Sequence, residues 1–340
     1  MKTKHHNMLP LLCFPIFLLL IFDSNTAITA ASNGISLCMR SVIPSLFPFF
    51  LLSGIISTSV FGTQSYRFAK FCKLIGIPIG CESLFLLGIL SGYPVGAQNI
   101  KNAYSYNGLP IKTARRMLGF CNNAGPAFIF GILGPMFLSR IVPFALWGLH
   151  IFSALLTGLI LPGKDNQQIC LEKSQPISFN TVMEKSLKSI ASVSGWVIIF
   201  RIIIAFADKW FLDEAPLSLS VLLFGLLELT NGCLLLPEIY PQGLCFILSA
   251  LLINAGGICV AMQTLSVTKE IGLGMYFPGK ALQTAISVLM ATITQYSIFA
   301  DSEIYTLWCI PFAFSVFTII ILLLYLKFKN RYSILKEIVV

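Results

Sequence analysis

Ten apolar runs, separated by short basic or polar stretches, set the plan of this chain. They cover residues 8–22, 34–60, 81–106, 114–137, 141–161, 182–207, 217–236, 243–267, 281–298 and 305–326. A helix needs about 20 mostly apolar residues to cross a bilayer, fewer where the bilayer is thin. Eight of the runs read as crossings on that rule. The first, 8–22, follows Lys2 and Lys4 and precedes the small-residue stretch NTAITAASNG, so it also resembles a signal peptide; the later charges favour a retained span. Run 81–106 is too short for two crossings and too punctuated for one. Basic residues flank it on both sides, so it reads as a re-entrant hairpin, and the short run 217–236 reads likewise.

Four of the runs are interrupted at their middles. The interruptions are SGYPVGAQ (Ser91 to Gln98), CNNAGP (Cys121 to Pro126), ELTNG (Glu228 to Gly232) and INAGG (Ile253 to Gly257). Broken backbone at membrane depth leaves amides and carbonyls unpaired, at several kcal/mol each, and persists only when buried in protein or facing a watery cavity. The order of parts repeats: a span, a hairpin with a Gly-containing tip, a span broken at Asn-Ala-Gly, then a further span. With three crossings per copy, the second copy must be inverted. The expected fold is therefore an all-α integral membrane protein, with about eight transmembrane helices plus two re-entrant hairpins in an inverted repeat, as in secondary transporters.

Composition adds to this picture without changing it. The chain is 56% hydrophobic and 11% charged, with mean hydropathy +0.84, which excludes a soluble single core. A net charge of +9 would suit nucleic acid, but the basic residues sit in short clusters between apolar runs, so they read as topology signals. With the N-terminus inside, 19 of the 23 Lys and Arg, among them Arg67, Lys70, Lys73, Lys112, Arg115, Arg116 and Lys280, fall in cytoplasmic segments. Both termini are then cytoplasmic. The ten cysteines form no CxxC pair and read as reduced packing residues. No cofactor or metal is implied. HExxH and Gly-x-Ser-x-Gly are absent, which leaves only Ser91 with His150 for an enzyme reading, so none is adopted.

The chemistry is expected where the four breaks meet. Half-helix N-termini present amides and a partial positive charge to anions. The candidate substrate-binding residues are Ser91, Gly92, Tyr93, Pro94, Asn122, Asn123, Gly125, Glu228, Thr230, Asn231, Gly232, Asn254, Gly256 and Gln263. Asn122, Asn123, Thr230, Asn231 and Asn254 suit either ligand hydrogen bonds or capping of broken helices. Glu228 is the acid expected inside an apolar segment, for proton coupling, ligand binding or a bond to its own hairpin. Gln263 points into the cavity or bonds a neighbouring helix. Arg201 is expected to snorkel to the interface or to pair with Asp208, and Arg40 to be interfacial.

SGYPVGAQ, CNNAGPAFIFGILG, the upstream SVIPSLFPFF, and FGLLELTNG with AGGICVAMQ together resemble the sporulation integral membrane protein family of the YlbJ type, over roughly residues 34–290. The resemblance implies two nucleoside-recognition (Gate) domains, similar to the core of concentrative nucleoside transporters. It also implies a role in endospore formation, moving dipicolinic acid from the mother cell across the outer forespore membrane. A Phe-Gly-Gly and a histidine are more usual in that family's second break, where this chain has INAGG and Met262. The implied organisation is an N-terminal span or signal-like segment (1–33), a first Gate-type repeat (34–162), a cytoplasmic linker (163–181), a second, inverted repeat (182–300), and a C-terminal span with a basic tail (301–340). The expected partners are a small anionic substrate and the lipid bilayer, with no nucleic acid; an oligomer is compatible with this layout. Nucleoside transport and a gate-like scaffold role in a larger assembly are the alternatives.

Overall fold

The structure, a computed structural model, describes residues 18, 20–60, 66–163, 169, 178–212 and 215–299. Most of the expected span 8–22, the whole of 305–326 and most of the linker lie outside them. Among the described residues every regular element is a helix. Helix α1 (Ser24–Leu37) runs through a π turn (Cys38–Val42) into α2 (Ile43–Val60). It starts ten residues before the expected Gly34, because Asp23 accepts the Thr26 amide at 3.4 Å as an N-cap and the Ala-rich stretch behind it is a good helix former. The expected boundary at 33/34 thus falls inside α1.

After α3 (Tyr66–Leu74), α4 (Glu82–Ser91) and α5 (Val95–Asn107) pack on each other as a hairpin whose tip is Gly92 to Pro94. The expected span 114–137 is two pieces. Helix α6 (Ile111–Met117) stops, residues 118–125 unwind, and α7 (Pro126–Phe128) continues through a π turn (Ile129–Leu133) and a 3-10 turn (Gly134–Met136). Helix α8 (Ile141–Ile160) follows. Helix α9 (Phe179–Ala207), capped by Ser178 and extended by a π turn (Asp208–Leu212), packs against α1 and α2. A second hairpin comprises α10 (Leu217–Leu227) and α11 (Leu229–Leu234), with Glu228 at its tip. Helices α12 (Gln242–Ala255) and α13 (Gly257–Val267) meet at Gly256, and α14 (Tyr276–Ile298) packs on α12 and α8.

Four described stretches are long and apolar enough to cross a membrane: Ser24–Ile56, Ile141–Ile160, Phe179–Phe211 and Gln242–Val267. Their outward faces are apolar too. Ile28, Phe144 and Phe211 are 68%, 63% and 79% exposed, which suits a lipid surround and would penalise a watery one. The two largest apolar clusters among the described residues hold most of the interior. One joins α4, α5 and α6 to Ala154, Ala261 and Tyr276; the other joins the α7 region and α8 to α10, α11 and α12.

Two basic residues counted as topology signals are instead buried. Helix α14 begins at Tyr276 rather than at 281, so Lys280 lies inside it at 3% exposure. Arg116, at 2%, donates to carbonyls at the ends of two other helices. Neither belongs in a count of solvated loop charges.

Candidate substrate cavity between two hairpin tips

Glycine decides how the first hairpin meets the first break. A Cβ on Gly92, which has φ +75°, would lie 2.8 Å from the Gly125 amide nitrogen, and one on Gly125 would lie 3.0 Å from Gly92 Cα. Any side chain at either position pushes the two backbones apart. The second hairpin docks alike: a Cβ on Gly257 would fall 2.9 Å from the Gly225 carbonyl oxygen. Each tip is thereby held against its own break, and the two tips face each other across one cavity.

That cavity is lined by Ser91, Gly92 and Tyr93 from the first tip, Gly125 from the first break, Glu228 and Thr230 from the second tip, and Gln263 from α13. Apolar side chains from the long helices close it, including Val42, Leu46 and Phe50 on one side and Val193 and Val197 on the other. Free space comes to about 490 Å³ with the mouth counted, but only about 40 Å³ could hold water centres, room for roughly three waters. The conformation is nearly closed. Ser91 Oγ and Tyr93 Oη are buried and make no hydrogen bond.

Seven of the fourteen candidate residues line the cavity: Ser91, Gly92, Tyr93, Gly125, Glu228, Thr230 and Gln263. The other seven do not. Asn122 Oδ1 accepts the Ala97 amide at 3.2 Å, in the first turn of α5, and its Nδ2 donates to Thr264 Oγ1 at 2.9 Å. Asn123 Oδ1 accepts from Gln283 at 3.0 Å and from the Lys280 ammonium at 3.3 Å, while its Nδ2 donates to the Phe120 carbonyl. Asn254 Oδ1 meets His150 Nδ1 at 2.8 Å and accepts from Ser153 at 3.0 Å. Because His150 Nε2 accepts the Ala124 amide at 3.0 Å, its Nδ1 carries the proton and donates to Asn254. Both imidazole nitrogens are committed, leaving none for Ser91. Gly232 packs on Gly225, Gly256 ends α12 in the left-handed region at φ +72°, and Pro94 is the residue before α5.

The second tip departs most from expectation. Glu228 Oε2 accepts the Asn231 amide at 2.8 Å and Asn231 Nδ2 at 2.7 Å, so the carboxylate caps α11 itself. These amides, expected to face an anion, are occupied from within the chain. Asn231 is held from its other side: Arg201 Nη1 donates to its Oδ1 at 3.1 Å. Arg201 therefore turns inward to the tip, rather than to the interface or Asp208. The signal was its spacing, four residues beyond Val197 and eight beyond Val193 on the helix face that walls the cavity. Lys280, Gln283 and His150 gave no such signal, since Asn123, which Lys280 and Gln283 share, and Ala124 and Asn254, which His150 bonds, lie on other elements. Glu82 is a second interior acid at 1% exposure, with Oε1 accepting the Gly80 amide at 2.8 Å.

Among curated proteins the chain is similar to the sporulation integral membrane protein YlbJ of Bacillus subtilis (strain 168), with 22% identity over an alignment covering 92% of this chain and 88% of that protein. No family model and no solved structure matches.

Proposed function

We propose that this protein is a membrane transporter or channel of endospore formation that moves dipicolinic acid from the mother cell across the outer forespore membrane, both termini being cytoplasmic. The observation that carries the reading is the meeting of two hairpin tips at one largely apolar cavity that holds a few polar groups, Ser91, Tyr93, Glu228, Thr230 and Gln263. In secondary transporters, irregular backbone of this kind forms the midplane substrate site. The recurrence of a long helix, a hairpin, a broken helix and a second long helix, at α1–α2 through α8 and again at α9 through α14, supports an inverted repeat of Gate type. Similarity to a sporulation membrane protein over most of both chains supports the setting.

The near-closed cavity is an occluded conformation on this reading, and substrate enters as the tips separate. A second reading, a nucleoside transporter, draws on one feature: Glu228 is an acid in the cavity wall, and it hydrogen-bonds a neutral polar heterocycle without charge conflict. Titration calorimetry on the purified full chain separates the two. Binding of dipicolinate supports the first, binding of uridine the second, and failure of both, with other proteins co-purifying, supports a scaffold subunit instead.

A further inference from the structure

The cavity that the preceding section assigns to a dicarboxylate already contains a carboxyl group. Glu228 stands in its wall at 3% exposure, and a dianion beside an ionised Glu228 places like charges together in a site with little water. The groups around Glu228 cannot absorb that charge. They are Arg201 from α9, Tyr93 from the first tip, the Cys233 thiol of α11, the Cys259 thiol of α13 and the Cys38 thiol of the π turn between α1 and α2. Among the described residues only Arg201 is cationic, and it reaches Glu228 through Asn231: guanidinium to amide oxygen at 3.1 Å, amide nitrogen to carboxylate at 2.7 Å. One positive charge balances an ionised Glu228 and leaves nothing for the substrate.

Resting on that assignment, we propose that dipicolinate is carried together with a proton held on Glu228. The proton comes from water on the entry side and bonds to Oε1, because Oε2 already accepts two bonds from Asn231. Glu228 passes from charge −1 to 0, Arg201 is released to balance one substrate carboxylate, and the Asn231 contacts to Oε2 still cap α11. On the exit side the substrate departs, the O–H bond breaks, and the proton returns to water. Thr230, whose hydroxyl and amide also interact with this carboxylate, turns its hydroxyl from donor to acceptor as Oε1 gains the proton.

The test is titration calorimetry of dipicolinate binding to the purified full-length protein between pH 6 and 9, in two buffers of different ionisation enthalpy. The ligand is fully ionised over this range, so any proton taken up belongs to the protein. We expect one proton bound per dipicolinate, and an affinity that falls about tenfold per pH unit on the alkaline side of the Glu228 titration, because binding then requires a proton that the free protein has lost. Glu228→Gln keeps an acceptor for the Asn231 amide and should bind with no proton uptake and no pH dependence. Binding by the natural protein without proton uptake overturns the inference. So does a pH dependence that persists in Glu228→Gln or disappears in Glu82→Gln. Absence of dipicolinate binding at every pH overturns the substrate assignment itself.

Discussion

Replacing Arg116 by methionine should destabilise the protein by about 3–5 kcal/mol. Its Nε donates to the Pro162 carbonyl at 3.0 Å, Nη1 to Gly76 at 2.8 Å, and Nη2 to Ile75 at 2.9 Å, to Leu161 at 3.3 Å and to Gly158. These acceptors sit where α3 and α8 end, and a helix end leaves its last four carbonyls without partners. One guanidinium thus satisfies two helix termini and opposes their negative dipole ends. Five bonds at a net value of about 1 kcal/mol each, reduced by the desolvation that burial of the cation costs, give the stated range. The reporters are Cys72, Cys81 and Cys121, unbridged and buried in the apolar cluster that also holds α6. A dye that fluoresces on thiol reaction, in a thermal ramp on detergent-purified protein, should react about 6–10 °C earlier in Arg116→Met, at roughly 2 °C per kcal/mol for a domain of this size. Arg116→Lys should recover part of the loss, since an ammonium offers three donors from one point. A shift under about 2 °C would refute the clamp and return Arg116 to the solvated charges.

Other outcomes are expected on the same protein. Gly125→Ala should cost about 1–3 kcal/mol by overpacking against Gly92, and Gly92→Ala about 1–2 kcal/mol more because its φ of +75° adds strain; equal losses in the same thermal ramp would refute the backbone contact. Asn123→Ala should cost about 2–3 kcal/mol, more than an ordinary neutral hydrogen bond, because Lys280 keeps only its 2.9 Å contact with Gln283; a loss below 1 kcal/mol would mean that the ammonium finds water. Arg201→Gln should weaken dipicolinate binding while Gly92→Val and Gly125→Val abolish it; the reverse ranking would make the site a side-chain clamp. Cysteines introduced at Lys70, Lys112 and Lys173 should resist an impermeant thiol reagent added outside, and one at Glu303 should react. Labelling at Lys112 would break the inverted topology.

The turns and breaks were legible because each gathers several glycine, proline or asparagine residues within a few positions, whereas single ones such as Pro48, Gly148 and Gly195 sit inside continuous helices. Both hairpin tips and both broken helices were found this way, at Gly92, at Glu228, between Met117 and Pro126, and at Gly256. Misread residues shared another property. Arg116, Lys280 and Arg201 carry charge, and charge near the end of an apolar run normally means a solvated loop or a snorkelling side chain. What keeps each of them inside is a partner remote in sequence, the carbonyls of α3 and α8 for Arg116, Asn123 for Lys280 and Asn231 for Arg201. Local pattern holds no information about such pairings. The asparagines were recognised as polar groups at breaks, yet their use was open until Ala97, His150 and Lys280 were seen to engage them.

The glycine contacts bear on how the molecule moves. Gly88, Gly92 and Gly96 recur every fourth residue, and a Cβ on any of them would strike the 121–125 backbone; the first hairpin and the first break therefore travel as one block. In the second hairpin, Gly232 brings the two arms together at Gly225, and Gly257 seats the hairpin on its break against the Gly225 and Leu226 carbonyls. Deformation inside either block would part backbones that touch, whereas the cavity wall supplied by Val42, Leu46, Phe50, Val193 and Val197 consists of side chains that re-pack by changing rotamer. On the proposed transport reading, opening is cheapest as sliding of two stiff bodies along an apolar seam, and a disulfide across that seam should arrest transport while leaving each body intact.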